Sequence, residues 1–427
     1  MEWVVGKSSL KGALHVPASK SHTIRALLIA TLAEGRSEIR SPLMQGDGRS
    51  ALEAAVALGA DVQWSDNSVS ISGLGGDLSG GDDNIFMGNS GTGTRLFAGA
   101  AALGSRPRRF DGDGSLRKRP MRSLLDAVRD LGGDYTIEGV DGDVPFVVRG
   151  PLQGGKTRVS GLTSQFVSSL LLSAPLAPGD TTIEVEKPHE KPYIELTLWW
   201  LRKMGIDYTA SEDMTCFEVK GRTKYQALDQ RIPGDFSSAT FGAVAAAVTG
   251  SELVLSNLDF TDPQGDKRVF EILTDMGMQI SQSGKEVTLK RAGGLKGGTF
   301  DLNDMPDSIA ALAVLGCCAE GETRLINVAQ ARIKETDRIA VMAGELTKMG
   351  ADIRELPDGL VIRTSRLRGE RVNSHDDHRV AMALALAGMI ADGETIIEKA
   401  ECAGVTYATF LEDFASIGAK MECRRER

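Results

Sequence analysis

The feature that most constrains this chain is a sixfold repeat. A polar segment, a helix of small apolar residues and a closing glycine recur as Pro17–Gly35, Gly88–Gly104, Thr163–Gly179, Pro233–Gly250, Asp304–Gly321 and Asp376–Gly393. A β-type run such as TTIEVE, SELVLS, TRLINV or ETIIEK follows the glycine. A second element interleaves with the first. It is an amphipathic helix ending at Gly59, Gly132, Gly205, Gly277, Gly350 or Gly418, then a short strand. Every interval between equivalent glycines falls between 68 and 75 residues. Glycine just past a helix suits the left-handed cap conformation. Further strands are expected in the hairpins Asp66–Gly76, Glu138–Gly150 and Ser283–Gly294. The period is too long for the common solenoids. It predicts an α/β fold, with six globular units grouped three and three into two lobes. The apolar helices should be buried, because they are apolar nearly all round. The amphipathic ones should turn one face to solvent.

Two lobes also suit 427 residues, more than one ordinary core accommodates. The formal charge of −9 argues against a general nucleic-acid binder. It leaves room for a small anionic ligand, because a local cluster of cations outweighs a diffuse negative field. The five cysteines form no CxxC pair, and Cys317-Cys318 fall inside an apolar helix pattern. They read as reduced core residues of a cytoplasmic protein. The opening MEWVVGKSSLKG has no apolar signal region. The longest apolar runs, Ile309–Ala319 and Val380–Ala391, are shorter than the ~18 residues of a membrane span, so no membrane partner is expected.

A polar loop that opens an apolar helix is a ready anion site, since the first N–H groups lack partners and the macrodipole is positive there. In the first repeat the loop Ala18-Ser19-Lys20-Ser21 should precede a helix over Ile24–Leu32. Cations recur at such loops: Lys20 and Arg25, Arg95 and Arg119, Lys334 and Arg338, and Arg379. Ser19, Ser21, Asn89, Ser90, Thr92, Thr163, Ser164 and Gln165 interleave with them. Arginine offers a bidentate fork and lysine a point charge, a set suited to two anionic groups. A single arginine is ordinarily a solvated surface charge; recurrence at equivalent loops favours binding. Two carboxylates stand out. Asp307 opens a very apolar helix, where it could equally be a cap. Glu335 lies between Lys334 and Arg338, where it could equally form an ion pair along a helix. Brought together over a cationic pocket, the two would serve as base and acid. No phosphate-loop or dinucleotide pattern, HExxH or GxSxG occurs. His375 and His378 stand beside Asp376 and Asp377 without a third ligand cluster, so no metal is expected.

Nine segments, in order, are ASKSHTIRALL, GNSGTGTRL, GDGSLRKRPM, TSQFVSSLL, KPYIELT, PGDFSSAT, NDMPDSIAA, ARIKETDRI and DDHRVAMA. Together they closely resemble the 5-enolpyruvylshikimate-3-phosphate synthase family over nearly the whole chain. The resemblance implies two domains, each of three βαβαββ-type repeats with pseudo-threefold symmetry, an inside-out α/β barrel. One would be discontinuous, residues 1–13 with 231–427, and the other would span 14–230. The implied reaction moves the enolpyruvyl group of phosphoenolpyruvate to the 5-hydroxyl of shikimate 3-phosphate. Phosphate leaves by addition and elimination through a tetrahedral intermediate, on the route to chorismate and the aromatic amino acids. The resemblance implies neither metal nor organic cofactor, no nucleic-acid partner, and a monomer.

Carried onto this chain, Lys20, Ser21 and Arg25 resemble contacts to both substrates. Thr163, Ser164, Gln165 and Tyr193 resemble holders of shikimate 3-phosphate. Gly91, Arg119, Arg338 and Arg379 resemble the phosphoenolpyruvate pocket. Asp307 is similar to the base that accepts the 5-hydroxyl proton, with Lys334 beside it. Glu335 is similar to the acid that protonates the methylene carbon, a role open to Lys20 as well. Lobe closure would align the reactants and exclude water. The chain departs from the pattern in places. Val405 stands where many relatives carry a lysine that contacts phosphoenolpyruvate. Glu190 stands where a serine often precedes Lys-Pro-Tyr, Gln330 where asparagine is common, and Gly93-Thr94 where Ala-Met is frequent. Two other readings compete. The related UDP-N-acetylglucosamine enolpyruvyl transferase carries a reactive early cysteine, and this chain has none before Cys216. A non-catalytic anion-binding repeat protein would have no use for both Asp307 and Glu335.

Overall fold

The structure is a computed structural model and describes residues 1–65 and 67–424. Its strands form six four-stranded sheets built to one plan. Thr299–Asp301 runs parallel to Glu322–Ile326, which pairs antiparallel with Gly359–Arg363, which pairs antiparallel with Asp352–Leu356. A parallel pair needs a crossover, and the helix Ile309–Cys318 supplies it. The amphipathic helix Arg338–Lys348 then leads into the hairpin. The order is therefore βαβαββ, as the repeat predicts. Along Glu322–Ile326, Thr323 and Leu325 are buried while their neighbours are half-buried, the period of two expected of a strand.

The chain divides into two compact units: Met1–Pro17 together with the chain from Pro233 onward, and Ala18–Ile232. Each holds three of the sheets. Three sheets are completed by distant segments. Asp229–Arg231 pairs in parallel with Arg36–Arg40, Gln230 opposite Ile39. Glu2–Gly6 pairs with both Thr395–Glu398 and Lys420–Arg424. Lys11–His15 runs parallel to Glu252–Ser256, with Leu14 opposite Leu255. The first crossing thus falls after Pro17, beyond the 13/14 boundary read from the sequence, because Leu14 and His15 belong to this strand. The second falls after Ile232.

Each unit has its own core. In the Ala18–Ile232 unit the buried helices are Lys20–Leu32, Gly91–Ala101 and Ser164–Ser173. In the other they are Phe236–Thr249, Ile309–Cys318 and His378–Gly388. Each fully buried Leu, Ile, Val or Phe contributes about 1.5–3 kcal/mol. Small residues let these helices cross closely. A Cβ on Gly99 would lie 2.3 Å from Ser169 Oγ, which donates to the Arg95 carbonyl at 2.6 Å. The amphipathic helix Arg122–Asp130 buries Leu124, Leu125, Ala127 and Val128 and exposes Arg122, Arg129 and Asp130.

All six glycines that close amphipathic helices have positive φ, from 68° at Gly205 to 108° at Gly59. Gly104 and Gly179 serve a different need. A Cβ at either would lie 2.8 Å from a neighbour, Leu78 Cβ or Gln153 O. Of the hairpin expected over Asp66–Gly76, Asp66 lies outside the described residues; the strand Ser68–Ser72 follows it. Among the described residues no helix is long and apolar enough to cross a membrane.

Candidate active site

The helix starts differ between the two units, and the difference is chemical. Ser19 caps Lys20–Leu32 by accepting the His22 N–H at 3.4 Å. Lys20 and Ser21 therefore lie in the first turn of a helix that begins well before Ile24, the start read from the sequence. Ser90 accepts from Gly93 N at 3.1 Å, and Thr163 from Gln165 N at 3.4 Å. The caps of these three buried helices are neutral hydroxyls, which put no charge of their own at the positive helix ends. In the other unit, Asp235 and Asp377 cap Phe236–Thr249 and His378–Gly388. Asp307 immediately precedes Ser308, which holds the N-cap position of Ile309–Cys318.

In the Ala18–Ile232 unit, two buried guanidiniums converge on the start of Gly91–Ala101. A Cβ on Gly91 would lie 2.4 Å from Arg119 Nη1 and 3.3 Å from Arg95 Nη1, so only glycine admits both at their present positions. Arg119 donates to Asn89 Oδ1, and Asn89 donates to Asp113 at 2.9 Å. Arg95 donates to Gln165 Oε1 at 2.5 Å and to the Pro120 carbonyl at 3.0 Å. Gln165 in turn donates to Thr92 Oγ1 at 3.1 Å. Lys20 is buried and forms an ion pair with Asp47, Nζ to Oδ2 at 3.3 Å. Asp47 lies in the first turn of Gly46–Leu58, where the macrodipole favours a carboxylate.

Arg25 faces inward. It donates to Thr197 Oγ1 at 2.8 Å, the Ser21 carbonyl at 3.0 Å, Ser168 Oγ at 3.2 Å and the Tyr193 carbonyl at 3.1 Å. Burial lowers its guanidinium to about 10, partly offset by Tyr193. Its guanidinium thus braces three helix segments. Ser164 begins its helix beneath Glu190. The Glu190 carboxylate accepts from Ser164 Oγ at 2.9 Å, Ser164 N at 3.2 Å and Thr163 Oγ1 at 3.3 Å.

In the other unit Arg338 is the hub. It is 1% exposed and donates to Asp307 Oδ1 at 2.6 Å, to Asp377 Oδ2 at 2.7 Å and to Glu335 Oε2. Burial alone would lower its guanidinium; Asp377, Glu335 and Asp307 together hold it well above the ordinary arginine value. Arg379 reaches the second oxygen of Asp307 at 2.9 Å. Asp307 is thus gripped by two guanidiniums. Glu335 precedes Asp337, the cap of Arg338–Lys348, so its pair with Arg338 spans the helix start. Lys334 is half-buried just before it. Val405 ends the turn Ala400–Val405 and is half-buried; Lys399, before that turn, pairs with Asp376 at 2.5 Å.

Four of the expected residues, Asp307, Glu335, Arg338 and Arg379, therefore form one cluster. Thr163, Ser164 and Gln165 share a helix start, and Gln165 links them to Arg95. Gly91 and Arg119 lie in one unit, whereas Arg338 and Arg379 lie in the other. Asp47, Asp377 and the placement of Glu190 were not read from the sequence. Aligning the six repeats would have marked Asp377, since Asp235 occupies the same cap position. Among the described residues no group of three or more His, Cys, Asp or Glu is arranged to hold a metal.

A two-unit α/β protein with three βαβαββ repeats per unit and arginine clusters at its helix starts has the build of an enolpyruvyl transferase. The chain belongs to the EPSP synthase (3-phosphoshikimate 1-carboxyvinyltransferase) family, whose model matches residues 4–414. It is 50% identical over 415 residues to a 3-phosphoshikimate 1-carboxyvinyltransferase of Acetivibrio thermocellus, covering 97% of this chain and 98% of that one. It is 47% identical to the enzyme of the same name from Ruminiclostridium cellulolyticum, covering 98% and 99%. The EPSP synthase structure from Acinetobacter baumannii superposes with a TM-score of 0.82 at 28% identity, covering 99% of this chain and all of that one.

Proposed function

We propose that this chain transfers the enolpyruvyl group of phosphoenolpyruvate to the 5-hydroxyl of shikimate 3-phosphate and releases phosphate. The observation that carries the reading is the Asp307–Arg338–Glu335 cluster in a chain of this family. Asp307 takes the 5-hydroxyl proton as that oxygen attacks C2 of phosphoenolpyruvate. Glu335 or Lys20 gives a proton to the methylene carbon, which yields the tetrahedral intermediate. The C2–O bond to phosphate then breaks, the methyl carbon returns a proton, and the vinyl ether is left on the acceptor.

Both substrates are anionic, which suits the helix starts and guanidiniums of the site. Lys20, Ser21 and Arg25 engage both; Arg25 must redirect an N–H now given inside its unit. Thr163, Ser164, Gln165 and Tyr193 hold shikimate 3-phosphate. Gly91, Arg119, Arg338 and Arg379 hold phosphoenolpyruvate, with Lys334 beside the base. An anionic group that binds Arg338 or Arg379 competes with Asp307 for the guanidinium, and so releases the carboxylate to act as a base when substrate is present.

The test is phosphate release by the purified full chain. Phosphate should appear with phosphoenolpyruvate and shikimate 3-phosphate together and with neither alone, and should survive a chelator. Turnover with UDP-N-acetylglucosamine in place of shikimate 3-phosphate would overturn the reading.

A further inference from the structure

The helix starting at Ser164 is unlike its two counterparts in the same unit, because a carboxylate of the chain already covers its hydroxyl cap. Glu190 is 1% exposed. It occupies the N-cap position of Lys191–Lys203, yet its side chain makes no capping bond there. It reaches instead to the neighbouring helix and accepts from Thr163 Oγ1, Ser164 N and Ser164 Oγ at 2.9–3.3 Å. Those are the donors an incoming phosphate would use. A carboxylate and a phosphate cannot share them, since two anions in contact in a buried site repel strongly.

The segment that carries Glu190 is short and conformationally unusual, and His189 N ties it to the Gly161 carbonyl at 3.1 Å. Lys187 and Glu190 both have positive φ, 47° and 54°, although neither is glycine, so the short segment they bracket is strained at both ends. Beyond it the chain is fixed: Arg25 holds the Tyr193 carbonyl at 3.1 Å, and Tyr193 N donates to the Glu190 carbonyl at 2.9 Å.

We propose that Glu190 is a specificity gate, an internal anion that stands in for the acceptor's phosphate and must be expelled when that phosphate binds. The proposal rests on the assignment of Thr163 and Ser164 to shikimate 3-phosphate. The gate sets a threshold. An acceptor carrying a dianionic phosphate displaces the carboxylate, and one without it leaves the carboxylate in place.

The experiment compares the full-length wild type with Glu190→Gln and Glu190→Ser. Glu190→Gln keeps an acceptor oxygen and removes the charge. Calorimetry with shikimate 3-phosphate should show binding at least about tenfold tighter in the variants. The KM for phosphoenolpyruvate should stay unchanged, a split that loss of packing would not produce. Unchanged or weaker acceptor binding in a folded variant overturns the gate. A second measurement needs no variant: saturating shikimate 3-phosphate should speed amide exchange in residues 187–190 of the wild type as Glu190 leaves. Slower exchange there overturns the gate as well. Wild-type turnover with either negative result removes the gate alone. Absence of turnover and of shikimate 3-phosphate binding in the wild type removes the functional reading and the gate with it.

Discussion

Arg338 donates to Asp307 across 2.6 Å, and the two side chains differ in access: Arg338 is 1% exposed and Asp307 is 15% exposed. The guanidinium is the fixed floor and the carboxylate is the part a substrate can touch. Asp377, at 0% exposure, pins the guanidinium from behind at 2.7 Å. On the proposed function, the cluster therefore separates a structural ion pair from a chemical one within a single arginine.

That separation predicts opposite results for two substitutions. Asp307→Asn leaves Arg338 with Asp377 and Glu335, so the chain should fold. Its kcat should fall by about 10²–10⁴-fold, the usual range for loss of a general base. Phosphate-release kinetics beside a melting curve make the check; turnover within about threefold of wild type would remove Asp307 from the chemistry.

Arg338→Lys keeps the charge and loses the fork. One ammonium cannot serve Asp307, Asp377 and Glu335 with the present geometry. The buried Asp377 carboxylate is left poorly paired, which costs about 3–5 kcal/mol when a partner is removed outright and somewhat less here. A lowered thermal midpoint together with lost turnover is expected. A variant as stable as wild type would show that Asp377 does not depend on the fork.

Asp47 carries the next expectation. Its carboxylate lies 3.3 Å from Lys20 Nζ, with both side chains nearly buried. Asp47→Asn preserves size and removes the charge that orients the ammonium. Displacement of a reacting group by about 1 Å can cost on the order of 10²-fold in rate. The variant should lose kcat by roughly tenfold or more, with a smaller change in either KM. A change confined to KM would place Asp47 in binding rather than in the positioning of Lys20.

The repeat was legible because it rests on short-range chemistry. Gly59, Gly132, Gly205, Gly277, Gly350 and Gly418 are all left-handed caps, and a cap is written in one residue. The apolar helices were legible for the same reason, since burial on every face needs no partner to be named. The Lys20 helix start was misplaced because Ser19, Lys20 and Ser21 read as loop by composition. Only the bond from His22 N to Ser19 Oγ shows them to be a cap and a first turn. Asp47 and Asp377 were missed for a different reason. Each acts through a partner outside its own segment, Lys20 or Arg338; the cap role of Asp377 repeats that of Asp235, but no local pattern encodes its pairing with Arg338. Arg25 was visible as a cation, but its inward direction depends on Thr197 and Tyr193, which are more than a hundred residues away.

Gly91 gives a prediction about binding. An added Cβ would meet Arg119 Nη1 at 2.4 Å, the far end of a flexible side chain. Gly91→Ala should therefore fold and move Arg119 rather than the helix. Steric changes of one methyl group in a fitted pocket are worth about 1–3 kcal/mol. The KM for phosphoenolpyruvate should rise about tenfold or more, while the KM for shikimate 3-phosphate moves less. Equal effects on both would place Arg119 outside the phosphoenolpyruvate pocket.

The approach to Asp377 is held by Glu345, and this support should fail in acid. Glu345 is 3% exposed. It accepts from Lys348 Nζ at 2.8 Å, His375 Nε2 lies 2.8 Å from its other oxygen, and Asn373 N donates at 3.1 Å. His375 and Asp376 both have positive φ, 54° and 61°, so the turn into Asp377 needs such an anchor. Burial pushes the Glu345 carboxyl up, but the bonds from Lys348, His375 and Asn373 outweigh it and hold the group below its ordinary 4.5. The folded value thus lies under the unfolded one. The ionised carboxylate stabilises the fold fully above about pH 4.5, and that contribution fades as pH falls through the folded value. Glu345→Gln has no such proton to gain. At pH 7 it should be less stable by about 1–3 kcal/mol, toward the lower end because Lys348 is half exposed. The gap from wild type should close as pH drops below about 4. Urea midpoints at pH 7 and at a pH well below 4 test it, and an equal gap at both would mean that Glu345 contributes through packing alone.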